Sequence, residues 1–428
     1  MNRAFLLFVS SGVIRLPVAV AALVLPTVAW AQPADEKLTE KPTVAKAGED
    51  KPSGASSVAS GEDAEADRPT VYFMPLEGEF GRRISPQSLV RALADVKKYQ
   101  PDYLILNFNM DWAFGGRAVD ANDATAEQES LSITWNNGLG SATEMSTLLI
   151  DSIRDDKQWK KKPKVVGWVN KAMGPSAFLV FGFKELYYHP EARHGGLGYT
   201  EFMFEGSDET ARQKQISLRL GAARGMGEKG SFDGRIVLAM ADTSRVLSMT
   251  MEGGEPKLFE NDTGEVLLTD DGKEGNQDSL ADIKRGRGND VLTLTADTAL
   301  KLKVSKGTVG SGDELLEQLG IVRNAKKIDG RSNKIFKEWE SEVGIAETEI
   351  ADSMRSFREV RPDRDTVNAR NEARDRQIGL LRKTLRLIEK YSKCLNPRVL
   401  AQSVGSGDSG QCESRLRGQI EELKQQGR

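Results

Sequence analysis

Between residues 71 and 230 the chain alternates short apolar runs with helical patterns of apolar spacing. Four apolar runs predict buried strands: 71–76 (VYFMPL), 103–108 (YLILNF), 164–169 (KVVGWV) and 186–188 (LYY). Helical patterns fall between and after them, at 86–96, 145–153, 176–183 and 209–228. Parallel strands need long return connections, and the connections here are helical. The order therefore predicts an α/β fold built from parallel βαβ units with right-handed crossovers.

The first 31 residues have the pattern of an export signal. An apolar stretch ends in Ala29-Trp30-Ala31, which places small residues at the two positions that a signal peptidase reads. The alternative is an uncleaved anchor, but Pro17 and Pro26 bound an apolar run shorter than the ~20 residues that a membrane span needs. We therefore expect cleavage after residue 31, export to the periplasm or cell envelope of a bacterium, and no transmembrane helix after cleavage.

Residues 32–70 have the composition of a disordered linker. They consist mainly of Ala, Pro, Ser, Gly and charged residues, and their only larger apolar side chains are Leu38, Val44 and Val58. Such a segment cannot bury enough apolar surface to offset its conformational entropy. The globular part of the chain is therefore expected to begin at residue 71.

Alternating apolar and polar positions predict short strands within residues 245–290. The segments VLSMTM, KLFEN and EVLLTD are separated by Gly-Gly and Asp-Gly turns, which are typical of hairpins. The sequence therefore predicts a β-rich insertion before the chain returns to the main domain.

After residue 330 the pattern becomes helical and strongly charged. Apolar residues recur at spacings of three and four, as in a coiled coil or a helical hairpin. These residues are Phe336, Trp339, Val343, Ala346, Ile350 and Phe357, followed beyond Pro362 by Ile378, Leu381, Leu385 and Ile388, and then by Leu416, Ile420 and Leu423. We expect a helical tail over 331–428 that serves a homo-oligomer or a coiled-coil partner.

Charge and composition exclude several classes of function. The 60 Lys and Arg residues against 63 Asp and Glu residues give a formal charge of −3, so no electrostatic case exists for a nucleic-acid partner. With 2 Cys and 2 His, a Cys-rich zinc site is excluded, and we predict neither a metal nor a cofactor.

The two cysteines, Cys394 and Cys412, flank a turn rich in Gly and Ser. In an exported protein such a pair favours a disulfide, and closing this loop would add about 3 kcal/mol of stability. A redox pair is the alternative, but the close Cys-x-x-Cys spacing of such pairs is absent.

The apolar runs also carry a family resemblance. The segments VYFMPLEGEF, DYLILNF and KVVGWVNKAMGPSAFLVFGFKELYYHPEARHGG resemble the ClpP/crotonase-like superfamily, in particular the NfeD-type and signal-peptide-peptidase-A-like exported serine peptidases. Residues 291–321 resemble the closing segment of NfeD-type domains, although Lys303 stands where the family usually has glycine. The resemblance covers about residues 71–322 and implies a spiral of ββα units within a domain spanning 71–325.

The resemblance implies a serine nucleophile after the third strand and a lysine base on a later helix. Counting back from Pro190 places Gly174 at the nucleophile position, and the nearest hydroxyl belongs to Ser176. The segment that begins at Lys214 resembles the helix that bears the base. In one interpretation a shifted turn presents Ser176 to substrate, with the Ala177 N–H as an oxyanion donor. In the other, Pro175 and Ser176 only begin a helix.

The family's oxyanion turn, Asp-Ser/Thr-Pro-Gly-Gly, is also altered in this chain. The resemblance implies that Gly115 and Gly116 replace its glycines, with Trp112 and Ala113 beside the substrate. His189 precedes Pro190, and His194 precedes a Gly-Gly pair. We interpret both histidines as structural residues.

These observations support one main hypothesis and two alternatives. The main hypothesis is a catalytically degenerate peptidase that retains its cleft for peptide or protein binding, or for scaffolding, in the cell envelope. The first alternative is an active serine endopeptidase that uses a Ser176–Lys214 dyad in envelope proteolysis. The second alternative, a crotonase-type acyl-CoA reaction, is disfavoured because such thioesters are cytosolic and fold alone does not decide chemistry.

Overall fold

The computed structural model describes residues 68–111, 140–196, 208–273, 275, 277–278, 282–283, 286–361 and 366–426. The predicted signal peptide and all but the last three residues of the predicted linker lie outside this part. So do four residues of the predicted oxyanion and substrate region: Trp112, Ala113, Gly115 and Gly116.

The strands of the described residues form two sheets. In chain order they are β1 (Thr70–Glu79), β2 (Tyr103–Asp111), β3 (Lys164–Met173), β4 (Leu186–Gly195), β5 (Leu247–Glu252), β6 (Glu255–Phe259), β7 (Val266–Thr269), β8 (Thr293–Leu294) and β9 (Lys326–Ile328). The larger sheet has six strands in the order β8-β4-β3-β2-β1-β9, and the smaller has the order β6-β5-β7.

The helices return the chain between these strands and then form its C-terminal region. In chain order they are α1 (Pro86–Tyr99), α2 (140–154), α3 (Ser176–Val180), α4 (Glu209–Lys229), α5 (Gly234–Ala239), α6 (Ala296–Lys301), α7 (Gly312–Gln318), α8 (Ser332–Glu359), α9 (Val367–Tyr391), α10 (Pro397–Val404) and α11 (Ser409–Gln425). A short 3₁₀ turn, Ser392–Cys394, follows α9.

The first four strands form the parallel centre of the larger sheet. Val71 lies opposite Tyr103, and Tyr103 lies opposite Lys164, so the strands start in step. Each faces apolar side chains on both sides of the sheet, which is why their sequences are nearly continuous apolar runs. The predicted α/β fold class is confirmed.

The smaller sheet corresponds to the predicted β-rich insertion. Its hairpin between β5 and β6 turns at Gly253 and Gly254, whose φ angles are +61° and +84°. Two consecutive positive φ angles define the turn that matches the twist of a two-residue hairpin, and glycine adopts them without steric cost.

Helix α6 ends in a Schellman motif that has lysine at its left-handed position. The Val304 N–H donates to the Ala299 carbonyl at 2.9 Å, and the Lys303 N–H donates to the Leu300 carbonyl at 3.1 Å. Lys303 has a φ of +58°, the conformation for which glycine is preferred at this position. The structure thus places Lys303 in a backbone conformation that favours the glycine expected from the resemblance.

The helical tail is not a separate appendage, because its first helix completes the main core. Phe336 of α8 is 1% exposed and belongs to the same apolar cluster as the central strands. A buried pair secures the entry to α8: the Tyr72 hydroxyl donates to Asp95 at 3.0 Å. The Arg331 N–H donates to the same carboxylate at 2.9 Å, and the Ser332 N–H donates to the Tyr72 oxygen at 3.2 Å.

Arginines before and within α1 bind one face of α8. Arg82 forms a bidentate pair with Glu347 at 2.5 and 2.7 Å, in which both side chains are largely buried. The same carboxylate accepts the Asn396 N–H at 2.7 Å. Arg91 pairs with Glu342 on a more exposed part of the same interface.

The predicted apolar seam of the tail is filled within the chain. The seam residues of α8 pack against α9, which also packs against α11, in a second apolar cluster that contains Trp339, Val343, Ala346, Ile350, Ile378, Leu381, Leu385, Ile388, Leu416 and Ile420. Of the two predicted alternatives, the structure forms the helical hairpin, which shorter helices complete. Assembly through the tail stays a prediction, and the buried seam is not available for it.

The predicted disulfide between Cys394 and Cys412 is absent, since both are buried free thiols. The Cys412 thiol donates to the Ser406 carbonyl at 3.0 Å, whereas the sulfur of Cys394 lies 3.9 Å from the Gln87 side-chain oxygen. Burial raises the pKa of both thiols, which keeps them protonated. The two sulfurs are therefore directed to different partners in one apolar cluster.

We predict that Glu347→Ala lowers the free energy of unfolding by about 3 kcal/mol, because it leaves the buried Arg82 guanidinium and the Asn396 N–H without their acceptor. Glu342→Ala is the matched control on the same helix and should cost at most about 1 kcal/mol, because its ion pair is exposed. Urea unfolding of both variants measures the difference. Equal losses would show that the Arg82 contact does not hold α8 to the core.

We also predict that Lys303→Gly raises the free energy of unfolding by about 0.5–1 kcal/mol, since it relieves a left-handed conformation in a residue with a Cβ atom. Lys301→Gly, in the last turn of the same helix, should lower it by about 1 kcal/mol. Thermal unfolding measures both variants, and the changes in the free energy of unfolding should have opposite signs if the Schellman turn is strained. A loss of stability in both variants would contradict this reasoning.

Candidate functional site

The candidate site is the turn between β3 and α3, at the carboxyl end of a central parallel strand. Ligand sites of open α/β sheets characteristically lie at this edge. Gly174 has a φ of +66°, and its N–H donates to the Gly195 carbonyl at 2.9 Å. The turn requires a left-handed residue here, and glycine supplies it. The position expected to hold the nucleophile therefore carries no hydroxyl group.

Ser176 lies two residues beyond Gly174, in the first turn of α3. Its side chain is completely buried, and its hydroxyl donates to the Met173 carbonyl at 2.9 Å. This hydrogen bond closes the strand-to-helix turn and leaves the oxygen facing the protein interior. The arrangement corresponds to the interpretation in which Pro175 and Ser176 begin a helix.

The Ala177 N–H does not face an open position for an oxyanion. It donates to the Gly174 carbonyl at 3.0 Å, inside the same turn. The predicted donor role of Ala177 therefore does not fit this conformation, because the tight turn already uses that proton. A stabilising donor must point to where the oxyanion develops.

Lys214 lies in the first turns of α4, and its side chain is exposed to solvent. A lysine base needs burial to be neutral near pH 7. The hydrogen bond of the Ser176 hydroxyl goes to Met173 and not to Lys214. The structure thus does not join the two predicted residues through a hydrogen bond, and the dyad stays a prediction.

His194, on β4, forms a hydrogen bond with the first turn of α3. Its side chain is fully buried, with Nε2 at 2.9 Å from the Ala177 carbonyl and Nδ1 at 2.5 Å from the Tyr188 hydroxyl. A carbonyl only accepts, so Nε2 carries the proton and Nδ1 accepts from tyrosine. Burial lowers the pKa of His194 from 6.5 to about 4, and the contact with Ala177 opposes this shift in part. His194 is therefore a neutral structural residue at neutral pH.

His189 has a different surrounding, although it lies on the same strand. Its side chain is half-buried, and its Nδ1 accepts the Glu191 N–H at 3.2 Å across Pro190. This contact shapes the bend of β4 after its first residues. It gives His189 the structural role that the sequence indicated.

A polar row that the sequence reasoning missed lies on the sheet at the carboxyl ends of β1, β2 and β3. The Asn170 side-chain amide donates to the Asn107 oxygen at 2.6 Å, and the Asn109 amide donates to the Glu77 carboxylate at 3.5 Å. Trp168 lies beside Asn107 in the register, and its indole N–H donates to the Val309 carbonyl at 3.2 Å.

The side chains of this amide row are partly or fully exposed. Within the described residues the Asn107 side-chain nitrogen and the Asn170 side-chain oxygen have no hydrogen-bond partner. A signal for the row was present in the alternation of Asn107 and Asn109 with Phe108 and Met110, where an apolar strand turns polar on one face. The amide row includes Asn170 of β3, the strand that ends at the candidate turn.

Within the described ranges, no three His, Cys, Asp or Glu side chains come together as a possible metal site. Among the helices described, none combines the length and the apolar character that a membrane span needs.

The sequence is similar to the membrane protein NfeD1b of Bacillus subtilis (strain 168). The two chains are 24% identical over 260 residues, which cover 60% of this chain and 43% of NfeD1b. The predicted resemblance is confirmed. The chain thus shares sequence similarity with an NfeD-type protein and has the parallel α/β sheet described above. It spans less than half the length of the relative that it matches, and no protein-family model matches it.

Two solved structures of a 1510-N membrane-bound stomatin-specific protease also show similarity. One is a lysine-to-alanine mutant in complex with a substrate peptide, with a TM-score of 0.35, 11% identity, and coverage of 61% of this chain and 92% of the protease. The other is a serine-to-alanine mutant, with a TM-score of 0.31, 12% identity, and coverage of 61% and 98%.

The buried histidine makes stability depend on pH. Because the folded pKa of His194 lies below its unfolded value, unfolding takes up a proton below about pH 6.5. The stability that neutral His194 contributes to the folded state is fully present above that pH and is lost as the pH falls toward 4. Between pH 7 and pH 5 the free energy of unfolding should drop by about 2 kcal/mol from this group alone.

Urea unfolding at pH 7 and pH 5 measures this effect in the wild type and in two variants. His194→Gln should lose the extra pH dependence, whereas His189→Gln, which removes the half-buried histidine, should keep it. The same pH slope in both variants would exclude His194 as the titrating group.

Proposed function

We propose that this protein is a catalytically degenerate member of the ClpP-like peptidase fold that binds peptides or proteins in the cell envelope. The observation that carries the proposal is Gly174 at the nucleophile position, in a left-handed turn that buries the next hydroxyl. Without an exposed nucleophile, acyl transfer through a serine ester has no starting point.

The surrounding hydrogen bonds support this proposal. For Ser176 to attack a substrate, its hydroxyl must leave the Met173 carbonyl and reach the surface. The Ala177 N–H must also leave the Gly174 carbonyl, in the same residue whose carbonyl contacts His194. Each buried group that gives up its partner costs about 1–3 kcal/mol. The conformation therefore favours a closed turn over a reactive one.

The amide row supplies the binding half of the proposal. An extended peptide presents one N–H and one carbonyl per residue, and side-chain amides such as those of Asn107 and Asn170 match both. Glu77 adds an acceptor, and Trp168 adds a partly exposed aromatic ring. The amide row would thus let a fold without its nucleophile still bind a polypeptide.

The envelope location and the assembly state are also proposals. The similar protein NfeD1b is named as a membrane protein, which supports an envelope association. The N-terminal apolar stretch that ends at Ala31 supports export. A homo-oligomer would have to use surfaces of the tail other than its buried seam.

Labelling with a fluorophosphonate tests the catalytic half. We expect the wild type, Ser176→Ala and Lys214→Ala all to remain unlabelled, while trypsin in the same reaction is labelled. Specific labelling of the wild type that disappears in both variants would instead establish the alternative, an active Ser176–Lys214 endopeptidase.

Fluorescence anisotropy with a labelled unfolded polypeptide tests the binding half. Asn107→Leu and Asn170→Leu should each weaken binding at least fivefold, since each removes about one hydrogen bond worth ~1 kcal/mol. Asn333→Ala, an exposed asparagine on α8, is the matched control and should bind as the wild type does. Unchanged affinity in the two leucine variants would overturn the assignment of the amide row.

A further inference from the structure

The loop that leads into β3 concentrates positive charge. Five of the eight residues 157–164 are lysines, and all five are exposed: Lys157, Lys160, Lys161, Lys162 and Lys164. The whole chain has a formal charge of −3, so this density of positive charge is a local feature of the loop. A dense group of exposed like charges attracts a partner of the opposite sign.

The other side chains of this lysine loop, residues 157–164, hold it against the domain. Trp159 is 7% exposed, and its indole N–H donates to the Ser152 carbonyl at 2.6 Å. The Gln100 side chain donates to the Gln158 carbonyl at 3.1 Å and accepts the Lys160 N–H at 2.8 Å. The backbone of the loop is therefore fixed, while its lysine side chains extend into solvent.

The lysine loop lies along the amino ends of the central strands, which are parallel, with β1, β2 and β3 starting in step. Lys161 donates to Asp102, just before β2, at 2.5 Å, and the same carboxylate accepts the Thr70 N–H of β1 at 2.8 Å. Lys164 pairs with Glu185, just before β4, at 2.8 Å. These contacts join the starts of four strands into one edge. We call this edge, formed by Asp102, residues 154–164, Lys184 and Glu185, the amino rim.

The acidic side chains of the amino rim already have basic partners. Asp102 pairs with Lys161, Glu185 with Lys164 and Asp156 with Lys97, while Asp155 and the neighbouring Asp151 share Arg154. Among the described residues, four exposed lysines of the rim have no ion pair: Lys157, Lys160, Lys162 and Lys184. Positive charge in the rim therefore remains without compensation from the chain itself.

We propose that the amino rim docks on an anionic membrane surface. Basic segments are attracted to anionic lipid by the sum of many charges, and ammonium groups act as point charges that need no shaped partner. Residues 1–67, which contain the predicted export signal, join the domain at this rim because β1 begins there. The proposal rests on the envelope association proposed above. Docking in this way leaves the amide row, at the carboxyl ends of the same strands, directed away from the membrane.

Other anionic partners fit the rim less well. Single strands of nucleic acid stack on exposed aromatic rings, whereas Trp159 of the lysine loop is buried. Specific recognition of carboxylates favours the bidentate guanidinium of arginine, whereas the four uncompensated cations of the rim are all lysines. An anionic lipid surface requires neither feature.

Vesicle flotation tests the proposal with residues 32–428, the chain expected after cleavage. We expect binding to phosphatidylglycerol vesicles, little binding to phosphatidylcholine vesicles, and release from phosphatidylglycerol as NaCl is raised from about 0.05 M to about 0.5 M. Equal binding to the two lipids, binding that salt does not weaken, or no binding to either lipid would overturn the proposal. Binding to poly-L-glutamate but not to vesicles would also overturn it and would assign the rim to an acidic polypeptide.

Two triple variants locate the docking surface. The rim variant should bind phosphatidylglycerol vesicles at least tenfold more weakly, and it carries Lys157→Gln, Lys160→Gln and Lys162→Gln. The matched control removes three charges from exposed positions of α9 and should bind as the parent chain does, and it carries Arg370→Gln, Arg382→Gln and Arg386→Gln. Equal losses in the two variants, or full binding by the rim variant, would overturn the assignment.

Two further measurements separate docking from other effects. Thermal unfolding of both triple variants should match that of the parent chain, since the substituted side chains are exposed. The rim variant should also keep the polypeptide affinity expected of the amide row, so a failure of membrane docking and a failure of peptide binding are distinguishable. Loss of vesicle binding only together with loss of folding would overturn the assignment to the rim.

Discussion

The contact between His194 and the Ala177 carbonyl determines the shape of the candidate site. It joins the fourth strand to the first turn of α3, and the Tyr188 hydroxyl fixes the histidine from the other side. With that turn held in place, Ser176 stays buried and the Ala177 N–H stays within its own turn. A single neutral imidazole thus couples the packing of the sheet to the closed state of the turn.

Hydrogen bonds of buried polar side chains also hold the tail in place. Asp95 and Tyr72 accept the first backbone N–H groups of α8, which a helix cannot satisfy by itself. Glu347 then receives both Arg82 and the Asn396 N–H. These contacts make α8 part of the α/β domain, while α9 and α10 pack on α8 and α11 packs on α9. The division at residue 330 that composition suggests is therefore not a division of the core.

The strands of the domain were predictable because strands buried on both faces leave continuous apolar runs in the sequence. The seam of the tail was equally visible, but periodicity reveals an apolar face and not the partner that covers it. Here that partner is the chain itself. Counting residues placed Gly174 at the position expected for the nucleophile, whereas the burial of Ser176 could not be predicted from the sequence. It depends on His194, which the fold brings to α3 from 17 residues away.

The position of β9 and α8 has a consequence for the order in which the molecule can form. β1, near the start of the domain, lies between β2 and β9, and its Tyr72 meets Ser332, 260 residues later in the chain. During synthesis from the N-terminus, the first strand must wait with one edge uncovered until almost the whole domain has emerged. Contacts of such long sequence separation slow folding. During this interval β1, although synthesised before the other strands of the sheet, still lacks its pairing with β9.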